Sequence, residues 1–176
     1  MERRVALRHM ALATGGLLVL PAWANAWTPA AVQTAQPLLP PLQAAVLTGF
    51  VDTLIPASDT PGAKDLGVSD FVQKMVADCY EPAVQQSLSA GLDALESAAR
   101  ATYSRSFQDC DTSQRTALLT AVEQSTEPDR HAFFALVKNL TVQGYTTSEY
   151  VMTKFLNYTM IPGHYYGCVP APVAIR

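Results

Sequence analysis

The sequence predicts an all-α fold: a compact bundle of five or six helices with an extended Pro/Tyr-rich C-terminal tail. Three observations carry this. Apolar residues recur at helical spacing from Leu42 to Phe155. Clusters of Pro, Gly, Ser and Asp punctuate them. No segment alternates apolar and polar residues as a half-buried strand does. With 49% apolar and 15% charged side chains in 176 residues, the chain can fill one core and is too sparsely charged for a disordered polymer.

Leu42, Val46, Phe50 and Leu54 form one face of a first helix, which Pro40 or Pro41 can open and Pro56 stops. Residues 56–67, PASDTPGAKDLG, read as a loop. Ser69 can cap a second helix with Phe71, Val72, Met75, Val76 and Cys79 inward. Pro82 opens a third, in which Val84, Leu88, Leu92, Leu95, Ala99 and Tyr103 keep one face and Gly91 is a weak point. Asp111 or Thr112 opens a fourth helix carrying Leu118, Leu119 and Val122; Asp111 with Gln114 is compatible with a capping box. Thr126 and Pro128 open a fifth, with Phe133, Phe134, Val137 and Leu140 inward and an end near Gly144. Ser148 caps a short sixth with Val151, Met152 and Phe155 inward. The Phe133-Phe134 pair and Met75, Met152 and Met160 could line a cofactor pocket, but helical spacing favours packing.

The N-terminus carries the three parts of a secretory signal. Arg3, Arg4 and Arg8 form a positive head, Met10–Leu20 an uncharged middle, and Ala24-Asn25-Ala26 a small-x-small cleavage site. The Arg3-Arg4 pair and the glycine-containing middle resemble a twin-arginine signal, a route that exports folded proteins. An ordinary unfolded-chain signal and a retained N-terminal anchor are the alternatives. On this reading residues 1–26 are the signal, 27–41 an extended leader, 42–157 the helical domain and 158–176 the tail. The mature chain then has 9 basic and 14 acidic side chains, a formal charge of −5, and works in the periplasm. That balance excludes a typical nucleic-acid binder, and no stretch approaches the about 20 apolar residues of a membrane span.

The tail concentrates tyrosine. Tyr145, Tyr150, Tyr158, Tyr165 and Tyr166 lie between residues 145 and 166, and Pro162-Gly163 and Pro170 forbid a continuing helix. Tyrosine joins a large apolar ring to a hydroxyl, which suits protein interfaces. The candidate partner-binding residues are therefore Tyr145, Tyr158, Pro162, Gly163, His164, Tyr165, Tyr166 and Cys168; a tail wrapped on its own domain is the alternative. Cys79, Cys110 and Cys168 are an odd number in an oxidising compartment, so at least one has no partner within the chain. A straight helix over residues 82–105 would be about 36 Å long, which disfavours Cys79–Cys110. Cys168 is the candidate for an interchain disulfide; a bond to Cys79 or Cys110 is the rival.

Chemistry-bearing motifs are sparse. The sequence has no Gly-x-Gly-x-x-Gly, no phosphate-binding loop, no Gly-x-Ser-x-Gly and no Cys-x-x-Cys-His. His131 lies one turn after Glu127, but two ligands make a weak metal site. His164 has no nucleophile or carboxylate tied to it by spacing. Asp109 and Asp111, flanking Cys110, suit a helix start. No catalytic, cofactor-binding or metal residue is expected in this chain.

Several blocks, in order, resemble the gluconate 2-dehydrogenase subunit 3 family. They are Leu54-Ile55-Pro56, Thr60-Pro61-Gly62-Ala63 and Gly67-Val68, then Phe107, Arg115 and Leu118-Leu119. Phe133-Phe134, Gly144-Tyr145-Thr146-Thr147-Ser148-Glu149, Tyr158 through Pro162-Gly163, and Gly167-Cys168 complete the likeness. Cys110 departs from it, at a place where an apolar residue is usual. The resemblance implies a small subunit without its own reaction, beside a large FAD-dependent dehydrogenase of the glucose-methanol-choline (GMC) type and in some members a multi-haem cytochrome c. The large subunit lacks a signal and travels folded with the small one; members serve gluconate, glucose, other polyols and glycosides. A free-standing periplasmic helical domain that binds a small ligand is the alternative reading, and an enzyme in its own right the third.

Overall fold

The computed structural model describes residues 38–161 and 163, and among these it is all-α. The helices are α1 (Pro41–Leu54), α2 (Val68–Cys79), α3 (Pro82–Tyr103), α4 (Thr112–Glu123), α5 (Pro128–Thr146) and α6 (Glu149–Lys154). A single 3-10 turn, Phe107–Asp109, joins α3 to α4. The expected signal, residues 1–26, and the leader up to residue 37 lie outside the described residues.

α1 is the hub. It packs against α2, α3, α4, α5 and the 3-10 turn. Its Leu47, Phe50 and Val51 are fully enclosed with Val72, Val76, Leu88, Leu92, Phe107 and Val137. The Phe50 ring meets Phe133 edge-on at 5.9 Å and Phe134 at 5.7 Å, contacts that favour aromatic pairs beyond simple burial. Leu42, expected inward, is exposed, because its neighbours Leu39 and Gln43 take the inward positions at the start of α1.

Most polar groups inside this packing are matched, the Thr141 hydroxyl on α5 being buried without a partner. Gln43 donates from Nε2 to Ser89 Oγ and Asp93 Oδ1, both at 2.9 Å, tying α1 to α3. Gln85 Nε2 donates to the carbonyls of Val76, Ala77 and Tyr80, covering the end of α2. Glu96 is buried on α3 and accepts from the Phe107 amide at 2.9 Å, Ser106 Oγ at 3.0 Å and Arg100 Nε at 2.7 Å. Burial opposes its ionisation, yet the Phe107 amide, Arg100 and Ser106 outweigh that and hold the carboxyl below its usual range.

Two glycines allow close helix packing. A Cβ on Gly91 would lie 2.3 Å from Cδ2 of Phe133, and one on Gly144 would lie 2.6 Å from Cδ1 of Phe71. Gly91 is therefore the place where α5 presses on α3, as well as the weak point its helix propensity suggests. α5 ends at Thr146, near Gly144 as expected. Ser69 does not cap α2: Gly67, left-handed at φ 67°, precedes the helix, and Ser69 is buried as its second residue. The expected capping box at Asp111 is present, with Asp111 Oδ1 accepting from the Gln114 amide at 2.8 Å and Gln114 Oε1 from the Asp111 amide at 3.1 Å.

Candidate docking surface

The C-terminal end of the bundle is built from Tyr145 onward. The Tyr145 ring packs partly buried against the core, and its hydroxyl donates to the Pro61 carbonyl at 3.1 Å, joining α5 to the 56–67 loop. That loop holds itself closed. The Gly62 amide donates to Asp65 Oδ2 at 3.0 Å, the Ala63 amide donates to the Ile55 carbonyl at 2.9 Å, and Ala63 is fully buried. Ser148 then turns the chain: its Oγ donates to the Tyr145 carbonyl at 2.7 Å and accepts from the Val151 amide at 3.4 Å. This is the cap expected for the sixth helix.

The expected inward face of α6 has no core to enter. None of its residues is buried; Val151 and Met152 are half-covered and Phe155 is exposed. The Phe155 ring rests against Tyr150 at 5.9 Å. Beyond α6 the Leu156 amide donates to the Val151 carbonyl at 3.2 Å, and the Tyr158 amide donates to the Met152 carbonyl at 2.9 Å. Between these bonds Asn157 is left-handed, with φ 49°, a conformation asparagine tolerates better than most residues. The exit is thus held by the backbone, and its side chains face solvent: Phe155 is 57% exposed, Leu156 61%, Tyr158 53%, Met160 82% and Ile161 81%. Met160, expected in packing, is among the most exposed apolar residues of the described chain.

An open groove of about 670 Å³ runs beside α6, lined by Asp65, Phe71, Glu149, Tyr150 and Lys154 among others. A second, of about 510 Å³, lies between α1, the 3-10 turn and α4. There Arg115 donates to the Gln108 carbonyl at 2.7 Å and meets Asp52 at 3.4 Å, while its Nε is buried without a partner. A third, of about 440 Å³, runs between α3 and α5 past Asp129 and Arg130. His131 is exposed, and Glu127 pairs with Arg130 at 2.8 Å instead. Among the described residues no group of three or more His, Cys, Asp or Glu is placed to share a metal ion, and no helix is long and apolar enough to cross a membrane.

The cysteines separate by environment. Cys110 is a buried free thiol, and burial pushes its proton affinity up, so it stays protonated. Cys79 is free and exposed, contrary to the inward placement expected, because the last turn of α2 (Ala77, Asp78, Cys79) projects past the core. Among the described residues there is no disulfide.

Of the sequence-predicted site residues, Tyr145 is engaged with its own loop, and Tyr158 and Gly163 lie exposed on the exit. Pro162, His164, Tyr165, Tyr166 and Cys168, with Arg3, Arg4, Ala24 and Ala26 of the signal, lie outside the described residues. The spacing did not single out Leu156 or Ile161, and it assigned Phe155 and Met160 to packing. The available signal was the density of apolar residues after a helix only six residues long.

A family model described as gluconate 2-dehydrogenase subunit 3 matches residues 41–163. No curated protein and no solved structure matches the chain. The family match begins at the first residue of α1 and runs through the exposed exit after α6, so it takes in the whole described bundle. The chain belongs to the gluconate 2-dehydrogenase subunit 3 family.

Proposed function

We propose that this chain is the non-catalytic small subunit of an exported FAD-dependent dehydrogenase of the GMC type, acting on a sugar, glycoside or sugar acid. It supplies the export signal and stabilises the flavoprotein subunit; a cytochrome c subunit takes the electrons. The observation that carries this is the exit from α6, where five large apolar side chains stand in solvent at the end of an otherwise well-filled bundle. A subunit that is part of a larger assembly leaves such a surface for its neighbour.

FAD belongs to the partner on this reading. Each described groove of this chain carries carboxylates: Asp65 and Glu149, Asp52 and Asp109, or Asp129. Each groove also carries a cation (Lys154, Lys64 with Arg115, or Arg130), so none is a net-positive seat for a pyrophosphate, and the chain has no Gly-x-Gly-x-x-Gly. The twin-arginine-like signal supplies the logic of the pairing. A flavin must be inserted before export, so a signal carried by a second chain has to travel on a stable interface.

The test is co-expression with the partner flavoprotein, followed by assay of the periplasm. Deleting residues 158–176 should leave the flavoprotein behind in the cytoplasm. Folded, active flavoprotein in the periplasm of that strain contradicts the reading. Cys168 is proposed to bond a partner thiol, the two thiols giving two protons and two electrons to the oxidant of the compartment. Cys168→Ser should then remove a high-mass adduct from non-reducing gels, and a wild type without that adduct overturns the bond.

A further inference from the structure

Resting on that reading, we infer that Phe155–Ile161 is the principal grip, seated in an apolar cleft of the dehydrogenase subunit and aimed by the left-handed turn at Asn157. Three features point to it.

The first is area. At about 200 Å² for a full large side chain, the five exposed ones leave roughly 650 Å² in water. Monomers rarely leave more than a few hundred Å² of contiguous apolar surface uncovered, and a standard interface buries about 800 Å² on each partner. Seven residues thus come close to one partner's full share.

The second is preorganisation. Leu156 and Tyr158 are held to α6 by backbone hydrogen bonds, and Phe155 leans on Tyr150. The segment is therefore partly ordered before it meets anything, which lowers the entropy lost on binding.

The third is the choice of occupant. Residues 149–161 carry one acidic and one basic side chain, Glu149 and Lys154. They lack the basic cluster that draws an apolar segment to an anionic lipid surface. The described grooves of a second copy each carry charges of both signs, Asp65, Glu149 and Lys154 in the first, Asp52, Asp109, Lys64 and Arg115 in the second, Asp129 and Arg130 in the third, and covering those with apolar side chains would desolvate them. A cleft of different sequence, on the dehydrogenase subunit named by the family, is the occupant that fits.

The experiment uses the full chain co-expressed with its flavoprotein and purified through a tag on the flavoprotein. The paired substitution Met160→Asp and Ile161→Asp should lower recovery of the small subunit at least tenfold, the scale of losing two central apolar anchors. Its helical dichroism and melting midpoint should not change, because both side chains are already in water. Asn157→Val, which strains the left-handed turn, should weaken recovery, and Asn157→Gly should restore it. If the wild type does not co-purify, the reading of the function falls. If the wild type co-purifies and the paired variant does so equally, only the grip falls. A purified wild-type chain that dimerises alone, or that sediments with phosphatidylglycerol vesicles, and loses that property in the paired variant, also overturns the assignment.

Discussion

Phe50 and Phe155 are the same kind of side chain in opposite situations. Phe50, at the hub of the bundle, has Phe133 and Phe134 around it and no exposure. Phe155, at the end of α6, has Tyr150 beside it and more than half of its surface in water. The same contrast runs through the polar groups. Glu96 satisfies a buried amide, a hydroxyl and a guanidinium within the bundle. Around α6, by contrast, caps and backbone hydrogen bonds fix the geometry without burying a residue. The bundle closes on its own core, and its C-terminal end leaves apolar side chains exposed. Substitutions should therefore lower stability in the first region and association in the second.

The largest effect on folding is expected at the hub. Phe50→Ala should lower stability by about 3–5 kcal/mol, measured by urea unfolding, because it leaves a void between α1 and α5. Gly91→Ala comes next. The gain in helix propensity is about 1 kcal/mol, but the new methyl would collide with the Phe133 ring, and such overpacking costs about 1–3 kcal/mol. A stable Gly91→Ala protein would show that α3 and α5 are not pressed together there.

Glu96→Ala should cost a similar amount at neutral pH, about 1–3 kcal/mol, by leaving the Phe107 amide buried without an acceptor. The Glu96 pKa is lowered in the folded chain. Its contribution is therefore complete above the ordinary carboxylate range and is lost as pH falls through the lowered value. The gap between wild type and variant should close in acid; a gap that persists there would assign the loss to packing. The smallest effect is expected at the exit: Ile161→Ala should change stability by less than about 0.5 kcal/mol. A larger loss would mean that the exit belongs to the core.

The parts of the fold legible in the sequence are those set by local chemistry. The Asp111–Gln114 capping box and the Ser148 cap follow from residues three apart, and the inward faces of α3 and α5 follow from helical spacing. The parts missed depend on contacts distant in sequence. Gly91 looks like a helix defect until Phe133, some forty positions on, is placed against it. Gly144 marks the neighbourhood of a helix end, but that it makes room for Phe71 shows only once α2 is placed against α5. Ser69 has the right chemistry for a cap, yet Gly67 supplies the left-handed turn that starts α2 two residues earlier. Two of the three partners of Glu96, Ser106 and Phe107, lie ten and eleven residues ahead in sequence, beyond the i+4 spacing that places Arg100.

At the candidate surface, tyrosine content pointed to the end of the chain where apolar side chains are exposed, but to only part of that exposed surface. Tyr145 anchors the 56–67 loop, while Phe155, Leu156, Met160 and Ile161 supply most of the exposed apolar area. Helical spacing identifies an apolar face; it does not show whether another element of the same chain arrives to cover it.

The most direct test of the account is the oxidation of Met160 by dilute peroxide, followed by peptide mass in the free chain and in the flavoprotein complex. Its thioether should oxidise readily in the free chain, where it stands in solvent. In the complex it should be protected, while exposed side chains at the opposite end of the bundle keep their reactivity. Equal oxidation of Met160 in both states would contradict the claim that the partner covers this segment.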